Sequence, residues 1–317
     1  MEPAPESSSS AGRMVGVARV AVGISLAALV LGFLGRVWWV FDLMANYRPH
    51  LGVLLLLGAG IAWVADRDAG LAAAFGGLVA LAGVVPLYIG SHPVPAPGAE
   101  QIEIVSFNVG VSNSNRSEVA DFLTEEDPDV VFLFESSFEW EEAMRHADVP
   151  LTMVAVVPRD QLAGVTVLAS ADLSPTAIEV DIHREVVALS VVVDGELIEI
   201  IGVHPPSPTT GQRAERRDRI LREAGEWIAS REVPVVLIGD LNVTPWSAAY
   251  RTLRWRGGLV DSMYGSGIQA SWPVGWGVLS IPIDHVLYTA GIGSVGRRLG
   301  PSFGSAHRPV VVSIGRG

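Results

Sequence analysis

Asn108, Glu135, His204, Asp240 with Asn242, Asp284 with His285, and His307 all stand at the ends of short apolar runs. Alone, each has an ordinary explanation. Asn108 before Val-Gly is a turn former, and Glu135 can cap the segment after it. Asp240-Leu241-Asn242 reads as an Asx turn, Asp284 as a partner for an arginine, and His307 as a surface residue in a Gly/Ser/Ala turn. Six such endings in one stretch of chain ask for a shared reason. The donors are carboxylate and amide oxygens and imidazoles, a set that suits Mg²⁺ or Mn²⁺ better than Zn²⁺. Histidines beside a divalent ion suit phosphoryl chemistry, where catalysis is mostly positioning and charge stabilisation. The chain has no Cys, which excludes disulfides, thiolate metal sites and a Cys nucleophile.

The elements that must carry these residues alternate between strand and helix. The stretch IEIVSFNVG (a strand ending at Asn108), Val130–Glu135 (VVFLFE) and Pro234–Gly239 (PVVLIG) read as buried strands. Gly164–Ala169, Val186–Val193 and Leu197–Val203 add β-branched runs, and Asp194-Gly195 joins the last two as a hairpin turn. Ile283–Tyr288 and Val310–Ile314 complete the strands. Helical spacing over Ser117–Glu126 and Gln212–Ser230 supplies two helices, the second with Ile220, Leu221, Ala224, Trp227 and Ile228 on one face. Hairpins and βαβ pieces together predict mixed sheets with helices outside. His285, one residue after Asp284 in a strand, is expected on the opposite sheet face. His50, His92, His146 and His183 read as surface residues. Trp246, Trp272 and Trp276 flank the polar motifs in Gly/Pro-rich loops, where they either meet substrate or cap the core.

The first ninety residues are of another kind. The 317-residue chain is 49% hydrophobic, too apolar for an ordinary soluble enzyme, and the excess lies before about Gly90. MEPAPESSSSAG opens a polar, disordered tail over residues 1–15. Three apolar segments follow in an anchor over 16–90: Val20–Phe41, Leu51–Ala65 and Gly70–Gly90. Each is read as a transmembrane span, the second short enough to be a re-entrant or interfacial segment instead. Arg13, Arg19 and Arg67 against Arg36 and Arg48 bias the N-terminus to the cytoplasm, so three spans leave the remainder extracytoplasmic. Residues 91–100 (SHPVPAPGAE) form a stiff Pro-rich linker, and 101–317 the catalytic domain. The net charge of −12 falls wholly after residue 99, where 29 acids face 17 arginines. That balance argues against sequence-independent nucleic-acid binding.

SFNVG, FLFES, GVHPPSP, LIGDLNVTPWS, IPIDHVL and GSAHRPV occur in an order and spacing that resemble the endonuclease/exonuclease/phosphatase superfamily, from Gln101 to about Ile314. With the apolar anchor, the chain resembles an actinobacterial membrane-anchored branch linked to glycopeptide (teicoplanin-type) resistance. The resemblance implies an α/β fold, a four-layer sandwich of two packed mixed sheets flanked by helices. It implies that Asn108 and Glu135 serve the metal, Mg²⁺ or Mn²⁺. His204, Asp240 and Asn242 would line the scissile phosphate, with Asp284 orienting His307. A carboxylate on one ring nitrogen fixes which nitrogen faces the reaction. Whether Asp240 or His307 takes the proton from the attacking water stays open. The family has Ser-Asp-His where this chain has Ser305-Ala306-His307, so one metal-binding carboxylate is missing.

The expectation is a metal-dependent phosphohydrolase at the outer membrane face, acting on a lipid-linked (undecaprenyl) phosphate or pyrophosphate, with no nucleic-acid or protein partner. The alternatives are a nuclease, a phospholipid or sphingolipid phosphodiesterase, or a non-catalytic ligand-binding protein with a decayed metal site.

Overall fold

The computed structural model describes residues 10–157, 164–180 and 186–317. Residues 1–9 of the expected tail and His183 lie outside the described residues. The chain divides into two units, Met1–Pro86 with Trp246–Ala248, and Leu87–Pro245 with Ala249–Gly317.

The first unit contains helices α1 (Ser10–Phe33), α2 (Trp39–Ala45), α3 (Arg48–Ala65) and α4 (Arg67–Ala82), followed at its boundary by the single turn α5 (Val85–Ile89). Small residues sit beside aliphatic ones in their interior: Ala62, Ala73, Ala80 and Leu55 are fully buried, and Val22 and Leu29 nearly so. A Cβ at Gly77 would collide with Leu56 and the Gly52 carbonyl. Many large apolar side chains point outward, with Ile24, Leu57, Phe75 and Leu78 all more than half exposed.

The helices do not follow the three expected spans. Among the described residues only Val15–Phe33 is by itself long and apolar enough to cross a membrane. The expected Val20–Phe41 segment breaks at a turn over Leu34–Val37 containing Gly35 and Arg36, and α1 begins at Ser10, inside the expected tail. Helices α2 and α3 reach spanning length only as a pair bent by 63°. Gly70–Gly90 is interrupted after Ala82, where Gly83 and then Pro86 follow; proline supplies no N–H to continue a helix. The 16 residues of α4 extend about 24 Å, short of a bilayer core of about 30 Å.

The second unit runs β1 (Gln101–Asn108), α6 (Arg116–Glu126), β2 (Val130–Ser136), α7 (Phe138–His146), β3 (Thr152–Val157), β4 (Gly164–Ala169), β5 (Thr176–Ile178), β6 (Val186–Val193), β7 (Glu196–Val203), α8 (Gly211–Ala229), β8 (Val235–Asp240), α9 (Ala248–Gly257), β9 (Val260–Asp261), β10 (Asp284–Tyr288), β11 (Ile292–Leu299) and β12 (Val310–Arg316). Among the described residues two mixed six-stranded sheets result, ordered β11-β12-β1-β2-β4-β3 and β5-β6-β7-β8-β10-β9. Each holds one parallel pair, β1/β2 and β7/β8, whose crossovers contain α6 and α8.

Alternation along the strands builds the layers. Ile102 and Ile104 of β1 join Phe132, Phe134, Ile200, Ile238 and Val286 between the sheets. The intervening Val105 and Phe107 turn to the other face, where α6 and α7 add Val119, Leu123 and Trp140. On the far face of the second sheet Ile220, Leu221 and Ala224 of α8 cover Ile201, Val203 and Leu237. Two packed mixed sheets flanked by helices are therefore present, as the strand and helix pattern requires. The Pro-rich segment is not a free tether. The Pro93 carbonyl accepts from Ser294 N and Ala96 N donates to the Arg316 carbonyl, so it lies along the β11/β12 edge. Such an edge otherwise leaves its backbone groups unpaired.

Candidate active site

Asn108 ends β1, and Glu135 lies one position before the end of β2, the parallel neighbour of β1. Glu135 has φ 55°, a left-handed backbone uncommon outside glycine, at the irregularity where β2 and β4 lose register. Across the sandwich, Asp240 ends β8 and Asp284 opens antiparallel β10, and the two are register partners. Gly239 precedes Asp240 with φ 140°, and a Cβ there would overlap the Val203 carbonyl. Only glycine allows β7 and β8 to approach so closely at this point. Asn242 has φ 54°, a conformation asparagine tolerates better than most residues. His204 follows β7 directly, and His307 sits in the loop before β12.

These seven residues form one connected cluster. Asn108 Nδ2 donates to Glu135 Oε1 at 3.2 Å and to Asp240 Oδ2 at 3.0 Å. His204 Nε2 lies 3.3 Å from Glu135 Oε1, and its Nδ1 is 3.1 Å from the Asp240 carbonyl. Asp240 Oδ1 accepts from Asn242 N at 3.0 Å, and Asn242 Nδ2 donates to the Pro205 carbonyl at 3.1 Å. His307 Nδ1 is 3.0 Å from Asp284 Oδ2, while its Nε2 faces Asp240 Oδ2 at 3.7 Å. Asn108, Asp240 and Asp284 are buried; the Glu135 side chain is one-third exposed and gives the cluster its open side.

The electrostatics separate Glu135 from Asp240. The hydrogen bond to His204 outweighs burial and, with the charge of His204 and the Asn108 amide, holds Glu135 down at about 2. Burial raises Asp240, against the pull of His307 and with the push of Asp284. Burial disfavours the charged form of His307, but Asp284 and Asp240 overcome it and push the imidazole up to about 9.

Several supporting residues carry no chemical signature in the sequence. Ser271 Oγ receives the N–H groups of Ile283 and Asp284 and so fixes the start of β10. Ser305 Oγ donates to the Asn108 carbonyl and accepts from His307 N, joining two of the site's loops. Arg217 is fully buried in α8 and donates to the Asn242 carbonyl at 3.2 Å. Only Ser305, inside GSAHRPV, stood in a motif that pointed here. Trp272 lies with its ring 6.3 Å from that of His307, whereas Trp246 is buried and Trp276 largely exposed. His285 is buried on the opposite sheet face, bonded to the Val243 carbonyl, its ring 4.8 Å from that of Tyr250 at a tilt of 43°. His92, held by Pro93 and Ser294, and exposed His146, beside Glu142, take no part. His50 is half-buried in α3.

The model of the Endonuclease/Exonuclease/phosphatase family matches residues 105–307. This chain belongs to that family. No curated protein matches it in sequence. Among solved structures it is similar to D. rerio TDP2 complexed with single strand DNA product, at 15% identity and a TM-score of 0.56, over 68% of this chain and 98% of that one. The human Nocturnin catalytic domain with bound sulfate anion is similar at 14% identity and TM-score 0.53, covering 68% and 95%. An endonuclease/exonuclease/phosphatase from Beutenbergia cavernae gives 19% and 0.52, covering 69% and 72%. At these identities the likeness is one of fold.

Family members generally use a divalent metal ion. The donor set fits a hard dication at Glu135, an ionised carboxylate on the open side of the cluster. Asn108 turns its amide nitrogen toward Glu135 and Asp240, and its oxygen accepts from Gly110 N. In this arrangement the Asn108 amide bridges the two carboxylates. Asp240, Asp284 and His307 also lie close enough to share an ion. There His307 faces both carboxylates, Nδ1 at 3.0 Å from Asp284 Oδ2 and Nε2 at 3.7 Å from Asp240 Oδ2.

Proposed function

We propose that the second unit is a divalent-metal-dependent phosphohydrolase that acts on a lipid-linked phosphate or pyrophosphate. The observation that carries this reading is the line Asp284–His307–Asp240, 3.0 and 3.7 Å apart, closed on its other side by Asn108, Glu135 and His204.

Asp284 accepts the Nδ1 proton of His307 and thereby aims Nε2 at the cleft. With its pKa near 9, His307 enters the reaction as an imidazolium at neutral pH. That makes it the donor to the leaving oxygen. Asp240, whose proton affinity burial raises, is the acceptor for the proton of the attacking water. Water oxygen bonds to phosphorus, the phosphorus–leaving-oxygen bond breaks, and the two protons travel to Asp240 and from His307. Asn242 and His204 hold Asp240 and face the non-bridging oxygens. A metal held at Glu135 would supply positive charge for the phosphate oxygens.

The membrane side of the reading rests on the outward-facing apolar side chains of the first unit and on the helix Val15–Phe33. We take the three apolar segments as a multi-pass anchor and the site as extracytoplasmic, where lipid-linked cell-wall intermediates are met. The kinship to a teicoplanin-resistance branch belongs to this proposal. Nucleic acid is the second reading, because one similar structure is a complex with single-stranded DNA; the acidic balance of this chain weighs against it. Phosphate release from a polyprenyl pyrophosphate, compared with cleavage of single- and double-stranded DNA across a Mg²⁺ and Mn²⁺ series, tests both. Hydrolysis of the lipid alone supports the proposal. Cleavage of DNA alone replaces it, and binding without turnover of either leaves a ligand-binding protein.

A further inference from the structure

Strand β11 carries two consecutive arginines with opposite fates. Arg298 is exposed and pairs with Glu126 and Glu103. Arg297 turns inward and is only 7% exposed. The backbone accounts for the difference. The register of β11 against β12 slips between Val295 and Arg298, and Gly296 inside the slip has φ 68°. Irregularities of this kind re-aim a side chain, and they gather beside active sites.

Once inside, the guanidinium bridges the two sheets. Arg297 belongs to the edge strand of one sheet, yet its Nη1 donates to Ser262 Oγ at 2.8 Å and its Nη2 to the Asp284 carbonyl at 3.2 Å. Ser262 follows β9 and Asp284 opens β10, both strands of the other sheet. The placement is costly. The two bonds go to a hydroxyl and a carbonyl, and among the described residues Nε has no hydrogen-bond partner. Burial pushes the guanidinium down, against the pull of Asp261, Tyr250 and Asp284. A buried cation with an unsatisfied donor lowers stability, and an apolar side chain of similar length would fill the space without that cost. Stability therefore does not explain the arginine. Its bond to Asp284 does. Ser271 Oγ accepts the Asp284 N–H at 3.2 Å, and Arg297 takes the carbonyl, so the residue is held from both sides. The Asp284 carboxylate in turn meets His307 Nδ1 at 3.0 Å.

We infer that Arg297 is a positioning residue: from the opposite sheet it fixes the Asp284 backbone, and through Asp284 the direction in which His307 Nε2 points. Its effect on turnover rests on the phosphohydrolase reading above, so the primary test needs no turnover. Imidazole ¹⁵N resonances are recorded on the full-length, histidine-labelled protein in detergent, with His307→Ala assigning the His307 signals. Arg297→Met and Arg297→Gln, with native near-ultraviolet circular dichroism, should move those signals in the direction that Asp284→Asn moves them. Arg297→Lys keeps a donor for the Asp284 carbonyl and should bring them at least halfway back. Unmoved His307 signals in a folded Met or Gln variant overturn the inference. So does a displacement that lysine fails to reduce, which assigns it to packing. Failure of both neutral variants to fold makes Arg297 a determinant of the fold and also overturns it. On a substrate that the native protein hydrolyses, Arg297→Met should lower kcat by about tenfold to a hundredfold while KM stays within about threefold. Displaced His307 signals without any native hydrolysis uphold the positioning role and remove the phosphohydrolase reading. Native hydrolysis with unmoved signals does the reverse.

Discussion

The two units use the same apolar residues in opposite ways. In the α/β unit Phe132, Phe134, Ile200 and Ile238 are wholly buried between the sheets, as expected where water is the solvent. In the helical unit Ala73, Ala80 and Ala62 occupy the interior while Phe75, Leu57 and Ile24 face outward. Small residues share that interior with Leu55, Leu29 and Val22, and many large apolar residues lie outside, an arrangement that helices also adopt in a solvent as apolar as leucine. The difference teaches that hydropathy alone does not locate a core; side-chain size beside burial does. It also separates two roles for glycine. Gly77 lets helices touch, whereas Gly239 lets β8 approach β7 closely beside the site.

The largest expected effect tests whether the polar interior of the α/β unit exists for chemistry. His307→Ala and Asp240→Asn should each lower hydrolysis by about 10²–10⁴, the usual worth of a positioned acid or base. Circular dichroism should report an intact fold. Near-native turnover by either variant, on a substrate the native protein hydrolyses, removes that residue from the mechanism.

A paired truncation addresses the contrast directly. Phe134→Ala in the fully buried sheet core should cost about 3–5 kcal/mol in unfolding free energy. Phe75→Ala, 71% exposed, should change the stability in detergent by less than about 0.5 kcal/mol. Comparable losses from both would mean that the helical unit buries Phe75 in solution, and the contrast would fail.

The pH dependence is smaller and belongs to the α/β unit. His307 titrates at about 9 in the folded state against an ordinary 6.5, so the folded state holds this proton more tightly. The stability it adds is complete below about 6.5 and is lost as pH rises through about 9. Glu135 has the opposite sign. Lowered from 4.5 to about 2, it contributes above 4.5 and loses that contribution as pH falls toward 2. Denaturant unfolding across pH should show both flanks. Asp284→Asn should flatten the alkaline flank and Glu135→Gln the acid one. Flanks unmoved by these changes would place the linkage elsewhere.

Much of the α/β unit was legible because its strands are apolar runs ended by turn residues. VVFLFE and PVVLIG needed nothing beyond that. Strand β11 was not, since Gly-Ile-Gly-Ser-Val-Gly-Arg-Arg has no alternation and is held by pairing with β12, including a bulge between Val295 and Arg298. Helix α7, with three acids in nine residues, shows no apolar run at all; Trp140 and Met144 anchor it. The candidate site was readable as residue types at strand ends. Its supports were not: Ser271 is one serine among many, and buried Arg217 sits in an arginine-rich helix where sequence gives no means to tell inside from outside. In the helical unit, hydropathy located apolar segments but not their ends. The turn at Gly35-Arg36 and the break at Gly83 depend on local backbone chemistry that a long window averages away.

The smallest expected effect concerns Ala306, where the family resemblance implies a missing metal carboxylate. Ala306 is exposed between buried Ser305 and His307, its carbonyl held by Val274 N at 2.9 Å. An aspartate there has room to add an anionic oxygen without displacing the core. Ala306→Asp should therefore lower the Mg²⁺ concentration for half-maximal activity by about tenfold, a gain of roughly 1.4 kcal/mol. Glu135→Gln should raise it, because it removes the carboxylate argued to hold the ion. Maximal rate need not follow, since the new charge also repels the phosphate. A working native site gives activity that saturates at high Mg²⁺ and moves to lower concentration in the aspartate variant. A decayed one gives no native activity at any Mg²⁺ concentration. Activity with an unmoved Mg²⁺ curve in both variants would displace the metal from Glu135 altogether.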